Sequence, residues 1–192
     1  MANFANTGFR PATGIGGTQH VVMRFPIDSS NATAVFVGDV MANNSAGSVR
    51  PAAANAGVTV VGVCVGIYDS NGIAIGTPGS SVTTKYLAIS TAGYADVALA
   101  LPGAIFVAPF GATYTPTVAD IMGSIDHVAT AGSTTTCRSG HVLGGAGGIN
   151  TEAQCRILGL VNEPGNTWGN YCDAYVCFLE SAWGQVNPTV GV

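Results

Sequence analysis

Apolar and polar positions change places along this chain in short runs, each closed by turn residues. Gln19–Ile27 (QHVVMRFPI) runs into the turn cluster Asp28-Ser29-Ser30-Asn31, and Ala32–Met41 (ATAVFVGDVM) runs into Asn43-Asn44-Ser45. Both runs are rich in β-branched and aromatic residues, the side chains that suit a pleated, half-buried surface. Val58–Tyr68 (VTVVGVCVGIY) is the strongest strand signal. Its valines fall on both parities, which predicts burial on both faces or bulges at Gly62 and Gly66. Asn71-Gly72 is a hairpin turn signal, and Ile73 and Ile75 restart the alternation after it. Thr83–Ser90, Tyr94–Leu101, Ala104–Phe110, Ile125–Thr130, Arg156–Asn162 and Tyr171–Glu180 continue the series of strands.

Two segments depart from it. Thr117 and Asp120 have the spacing of a capping box, which predicts one short helical turn within Thr115–Gly123. Gly140–Asn150 (GHVLGGAGGIN) reads as a long mobile loop. Long helical periodicity and solenoid-length repeats are absent. The fold class expected is therefore mainly β: a small barrel or sandwich of short strands with one short helical turn. Residues 1–17, rich in Gly, Asn and Thr with Pro11 among them, predict an extended N-terminal arm. Residues 18–192 predict a single β-rich domain, since 192 residues are enough for one sizeable core and no linker divides them.

Composition turns this outline toward assembly. Hydrophobic residues make up 47% of the chain and charged residues only 8%, against about a quarter charged in an ordinary soluble domain. A free monomer uses surface charge to stay soluble, so such depletion points to a surface hidden against other subunits. The net charge is −4, and the six Lys and Arg form no basic run, which argues against a nucleic-acid partner. The opening residues lack a charged segment followed by an apolar core, so no secretory signal is expected. The most apolar stretch, Val97–Ala112, is short and interrupted by Pro102 and Pro109, which argues against a membrane partner.

Candidate chemistry is sparse. His127, Cys137, His141, Cys155, Cys172 and Cys177 are the possible metal ligands, but no Cys-x-x-Cys or His-x-x-x-His pair anchors a zinc site. Five cysteines make an odd number, which favours buried reduced thiols over a disulfide framework. Gly14, Gly16 and Gly17 lack the strand, lysine and helix of a phosphate loop. There is no Gly-x-Ser-x-Gly elbow and no carboxylate pair that stands out as acid and base. Asp39, after Gly38 near a strand end, reads as a turn or cap residue. No enzyme activity and no cofactor are expected. Trp168 and Trp183 lie in turn-like and terminal segments, where they serve either as interface anchors or as caps on the core.

Four segments carry a resemblance. They are the opening with Gly8-Phe9-Arg10-Pro11, the strand Ser29–Met41, the stretch Thr117–Gly140, and the terminal unit Arg156–Trp183. In that order they resemble the head decoration, cement or minor capsid structural proteins of tailed bacteriophages, over roughly half the chain. The resemblance implies a virion protein on the outer surface of an icosahedral capsid, made in the host cytoplasm, often a homotrimer, that bridges major capsid subunits. It implies no catalytic residues. Its expected partners are the major capsid protein and further copies of the chain. The expected contact residues are Phe4, Phe9, Arg10 and Pro11 on the arm with Trp168 and Trp183 on loops. Removal of residues 2–14 is then expected to weaken shell binding and leave the core folded. The alternative is a phage host-recognition module, a fibre tip or carbohydrate-binding domain, which needs exposed aromatics arranged as a sugar platform. An enzyme with an unrecognised site would need Asp, His or Cys gathered in one cleft.

Overall fold

The structure is a computed structural model that describes residues 8–12, 20–44, 47–53, 58–77, 80, 84–145, 148–149 and 153–183. Its described elements are β1 (Arg10–Pro11), β2 (Val22–Ile27), β3 (Val40–Asn43), β4 (Val49–Pro51), β5 (Val60–Tyr68), β6 (Gly93–Leu99), β7 (Phe106–Pro109), a 3-10 turn (Val118–Asp120), β8 (Ser124–Ile125), β9 (His127–Ser133), β10 (Arg138–Leu143), β11 (Cys155–Leu160) and β12 (Asp173–Phe178). One five-stranded sheet has the order β1-β7-β12-β11-β8 and the other the order β2-β6-β5-β3-β4, while β9 and β10 form a separate hairpin. All pairings within the sheets are antiparallel. The main core takes Phe106, Ala108, Ile157, Val176 and Phe178 from the first sheet and Val40, Val60, Val63 and Ala98 from the second. Two sheets sharing one interior make a β-sandwich; of the two architectures expected, the closed barrel is not the one formed.

The mixed parity of Val58–Tyr68 has a structural cause. Val60 and Val63 face the main core, whereas Val61, Cys64 and Ile67 face a second core on the opposite side of the sheet. Strict alternation cannot put Val60 and Val63 on one side. A register break where β5 meets β3, between Val60 and Gly62, allows it, and a second where β5 meets β6, between Cys64 and Gly66, does the same for Cys64 and Ile67. Gly62 is obligatory at its position, because a Cβ there would stand 2.1 Å from the Ala98 carbonyl oxygen. The second core is roofed by chain rather than by a third sheet. Val35 and Leu87 exchange backbone hydrogen bonds of 2.8 and 3.0 Å, and both are fully buried in that cluster.

Three local expectations are corrected. Ala32–Met41 is not one strand: the Phe36 N–H donates to Asp39 Oδ2 (2.8 Å) and the Asp39 N–H to the Phe36 carbonyl (3.1 Å). This turn consumes the polar groups a ladder needs: before it there is only the Val35–Leu87 bridge, and the sheet strand starts at Val40. Thr83–Ser90 contributes a single bridge at Leu87 to Val35. Gly140–Leu143, expected in a mobile loop, belongs to β10, where Gly140 pairs with Thr130 so closely that a Cβ would meet the Thr130 carbonyl at 2.6 Å. The helical turn forms where expected, and the Asp120 carboxylate accepts the Thr117 N–H at 2.7 Å.

The arm expected over residues 1–17 is in part built into the domain. Residues 1–7 and 13–17 lie outside the described residues. Between them, Arg10 and Pro11 pair with Val107 and Phe106 as an edge strand. Phe9 is 1% exposed and stacks on Phe178 at 5.7 Å between ring centroids. Burying a phenylalanine is worth about 1.5–3 kcal/mol, enough to hold a short segment whose backbone is also paired. The edges themselves are blunted. Pro11, Pro26 and Pro51 lie in β1, β2 and β4, the outer strands at three of the four sheet edges, and proline offers an added strand no N–H.

Candidate functional site

The residues expected at an interface are placed mostly inward. Phe4 lies outside the described residues. Phe9 is consumed by the core. Arg10 reaches across the sheet to the buried Asp173 (2.8 Å), with Glu163 at 3.9 Å. Pro11 is paired in β1. Trp168 is half-buried against the main core. Trp183 packs against both cores and donates its indole N–H to the Val61 carbonyl at 2.8 Å. Both tryptophans thus pack on the core and keep part of their surface exposed.

Exposed apolar side chains sit elsewhere. Val21, Val22 and Met23 are each close to half exposed at the start of β2, an outer strand of the second sheet. Leu99 donates its N–H to the Val21 carbonyl, so by the alternation of the ladder the Val22 and Arg24 N–H groups point away from β6. On the other sheet, Val118, Ile121, Met122 and Ile149 are exposed around the 3-10 turn and β8. A Cβ on Gly123 would touch the Ile149 side chain, which ties that group into one patch. Met122, at the middle of it, has φ of 69° and is 62% exposed. A left-handed backbone is costly for a non-glycine residue, and here it turns an unbranched apolar side chain outward.

The candidate metal ligands divide. His127 and His141 come together, their rings stacked at 5.4 Å, but the cysteines do not join them. Cys64, Cys155 and Cys172 are buried and Cys137 and Cys177 partly so, all as free thiols. Burial pushes the Cys64, Cys155, Cys172 and Cys177 thiols above their ordinary range, the reverse of what a reactive thiolate needs. Among the described residues no three His, Cys, Asp or Glu converge on a possible metal position.

What the sequence did not show is that Asp39 joins the two histidines. The Val40 N–H donates to His141 Nδ1 at 3.2 Å, so the ring proton sits on Nε2. Nε2 stands 3.8 Å from Asp39 Oδ1, too far for a hydrogen bond. His127 Nδ1 donates to Gln154 Oε1, an orientation set by the Gln154 amide's donation to the Val58 carbonyl. Burial pushes the Asp39 carboxyl up to about 7 and lowers His141 to about 3, and it also lowers His127. The Ser139 hydroxyl is near enough to favour the charged form of Asp39, yet Oδ1 has no partner of hydrogen-bonding geometry among the described residues.

Asp39 and His141 form the floor of a groove of about 740 Å³ between segment 30–36, the end of β4 and β9. Arg50 stands on its β4 wall, exposed and without an ion pair to any described residue. Gly132 lets β9 lie against Phe36, whose ring would be 2.5 Å from a Cβ there. The Phe36 ring is itself buried and stacked on Tyr86, so it offers no open platform to a sugar. Asp39 and Arg50, 11 positions apart, meet here with His141, more than 90 positions further along the chain, and no local motif could have signalled it. No family model, curated protein or solved structure matches the chain.

Proposed function

We propose that the protein is a structural subunit of a phage virion, which decorates or cements the outer face of the capsid and bridges major capsid subunits. One observation carries this reading: large apolar side chains are left exposed beside the outer strands of two different sheets, Val21, Val22 and Met23 at the start of β2 and Val118, Ile121, Met122 and Ile149 around the 3-10 turn and β8. A monomer with a single partner needs one such patch; a bridging subunit needs at least two. The scarcity of charge supports the same reading, since 8% charged residues leave little to keep a bare surface apart from its neighbours. Proline at three sheet edges suits this role as well, because it limits runaway strand addition while leaving side-chain contacts open. In a repeating shell each contact can be weak, since the neighbours raise one another's effective concentration.

Contact residues are reassigned within this proposal from the buried Phe9 and the partly buried Trp183 to the two exposed groups. The test is co-sedimentation of the purified protein with isolated phage heads and, separately, with host cells. Saturable binding to heads that is lost in Met23→Glu or Met122→Glu supports the role. Binding to cells alone moves the protein to host recognition, and binding to neither rejects both.

A further inference from the structure

We propose that the open mouth of the second core binds a neutral pyranose sugar, with the C–H face of the ring on Phe25 and Trp183 and its hydroxyl groups on Asn43 and Thr59.

A concavity of about 600 Å³ opens between β2, the β3–β4 hairpin, the start of β5 and the chain after β12. Val49 and Val61, buried members of the second core, line it. Alternation along the chain gives the direction of the other side chains. Met41 belongs to the second core and Val40 and Ala42 to the main core, so Asn43 points to the second-core side. Val58 and Val60 pack on the main core, so Thr59 between them points to the second-core side with Val61. Asn43 and Thr59 are both exposed, and neither side chain is hydrogen-bonded to a described residue. Phe25 packs on the second core and Trp183 on both, each only partly buried. All four line the same concavity.

Its walls are fixed without a ligand. The Trp183 indole N–H donates to the Val61 carbonyl at 2.8 Å. The chain before it is tied to β5, the Val60 N–H donating to the Glu180 carbonyl (3.1 Å) and the Ala182 N–H to the Val60 carbonyl (2.8 Å). Phe25 is held in the ladder opposite Ala95. Beside Asn43, the Asn44 N–H donates to the Ser48 carbonyl (2.8 Å) and its side-chain amide to Ser48 Oγ (3.1 Å). A site built in advance spends little on ordering when it binds.

The lining sets the ligand's chemistry. The indole N–H is engaged, so both aromatic rings have only C–H and π surface left to offer. An amide and a hydroxyl supply donors and acceptors beside them. A pyranose has a face of ring hydrogens and a rim of hydroxyl groups, and so meets both kinds of surface at once. Charge narrows the class further. Arg50 is the one ionisable residue among the described lining, and as the neighbour of Val49 it faces the opposite side of β4. Neither an ammonium nor a carboxylate finds a counter-charge on the second-core side, which leaves a neutral ligand. The volume falls within the roughly 300–1,000 Å³ of small-molecule sites. This inference does not depend on the capsid role.

The experiment is calorimetric titration of the full chain at pH 7, with saturation-transfer NMR on the same samples. The probes are methyl α-glucoside, methyl β-galactoside and N-acetylglucosamine. Sorbitol is the control with hydroxyl groups and no ring face, and cyclohexanol the control with a ring face and one hydroxyl. At least one sugar is expected to bind saturably, roughly tenfold or more tighter than either control. Irradiation of the aromatic protons is expected to transfer saturation to its ring hydrogens. Asn43→Ala and Thr59→Ala, at exposed positions outside the packed core, are each expected to weaken binding roughly threefold or more, the effect of one hydrogen bond. No saturable binding by any sugar, a control that binds as tightly, or an affinity unchanged in both variants overturns the proposal.

Discussion

Replacing Asp39 by Asn keeps an oxygen for the Phe36 N–H and removes a carboxyl whose ionisation burial opposes. The carboxyl is raised from 3.8 to about 7 in the fold, so the protonated form is the one the fold favours. Its contribution is complete below pH 3.8 and is lost as pH rises through 7. The difference corresponds to at most about 4 kcal/mol. His141 works in the opposite direction. It is lowered from 6.5 to about 3, so its contribution is complete above pH 6.5 and is lost as pH falls toward 3. In the wild type the two slopes oppose one another between pH 4 and 6.5, and the stability profile is flattened there. Asp39→Asn removes one slope and leaves the other. The stability of the variant relative to wild type should therefore grow from pH 4 to pH 8, by at least about 1 kcal/mol and by no more than about 4. Urea unfolding at constant ionic strength across that range measures it, and equal m-values would show that the same surface is exposed in both. A difference that stays constant with pH would refute the reasoning, because it would mean that Asp39 ionises as readily in the fold as in the open chain.

Gly62→Ala should destabilise by about 2 kcal/mol or more, as overpacking does, because its Cβ would collide with the Ala98 carbonyl at 2.1 Å; thermal unfolding checks it. Phe9→Ala should cost about 3–5 kcal/mol, and deletion of residues 2–14, which removes Phe9 and β1, should cost at least as much rather than only weaken contacts; urea unfolding checks both. Asn166→Ala should cost about 2–4 kcal/mol in urea unfolding, since its side chain bonds the Val161 carbonyl and both the carbonyl and the N–H of Asp173. Met23→Glu should change stability by less than about 0.5 kcal/mol, as exposed positions do, while abolishing co-sedimentation with phage heads.

The β class, the helical turn and most strand positions were legible from the chain, because alternation, turn residues and the Thr117–Asp120 spacing are local signals. Even the two-sided burial of Val58–Tyr68 showed in its mixed parity. Other features were decided only when distant segments met. A glycine-rich stretch at Gly140 reads locally as a loop, yet pairing with β9 selects glycine for close approach and makes it a strand. Phe9 sits among residues that read locally as an arm, but the rings it packs against are those of Phe178 and His127, more than 100 positions away. The groove over Asp39 is the extreme case. Sequence spacing carries no trace of a carboxylate and an arginine meeting a histidine from a distant part of the chain, because what unites them is the packing of strands, and the burial that perturbs Asp39 exists only once those strands have closed over it.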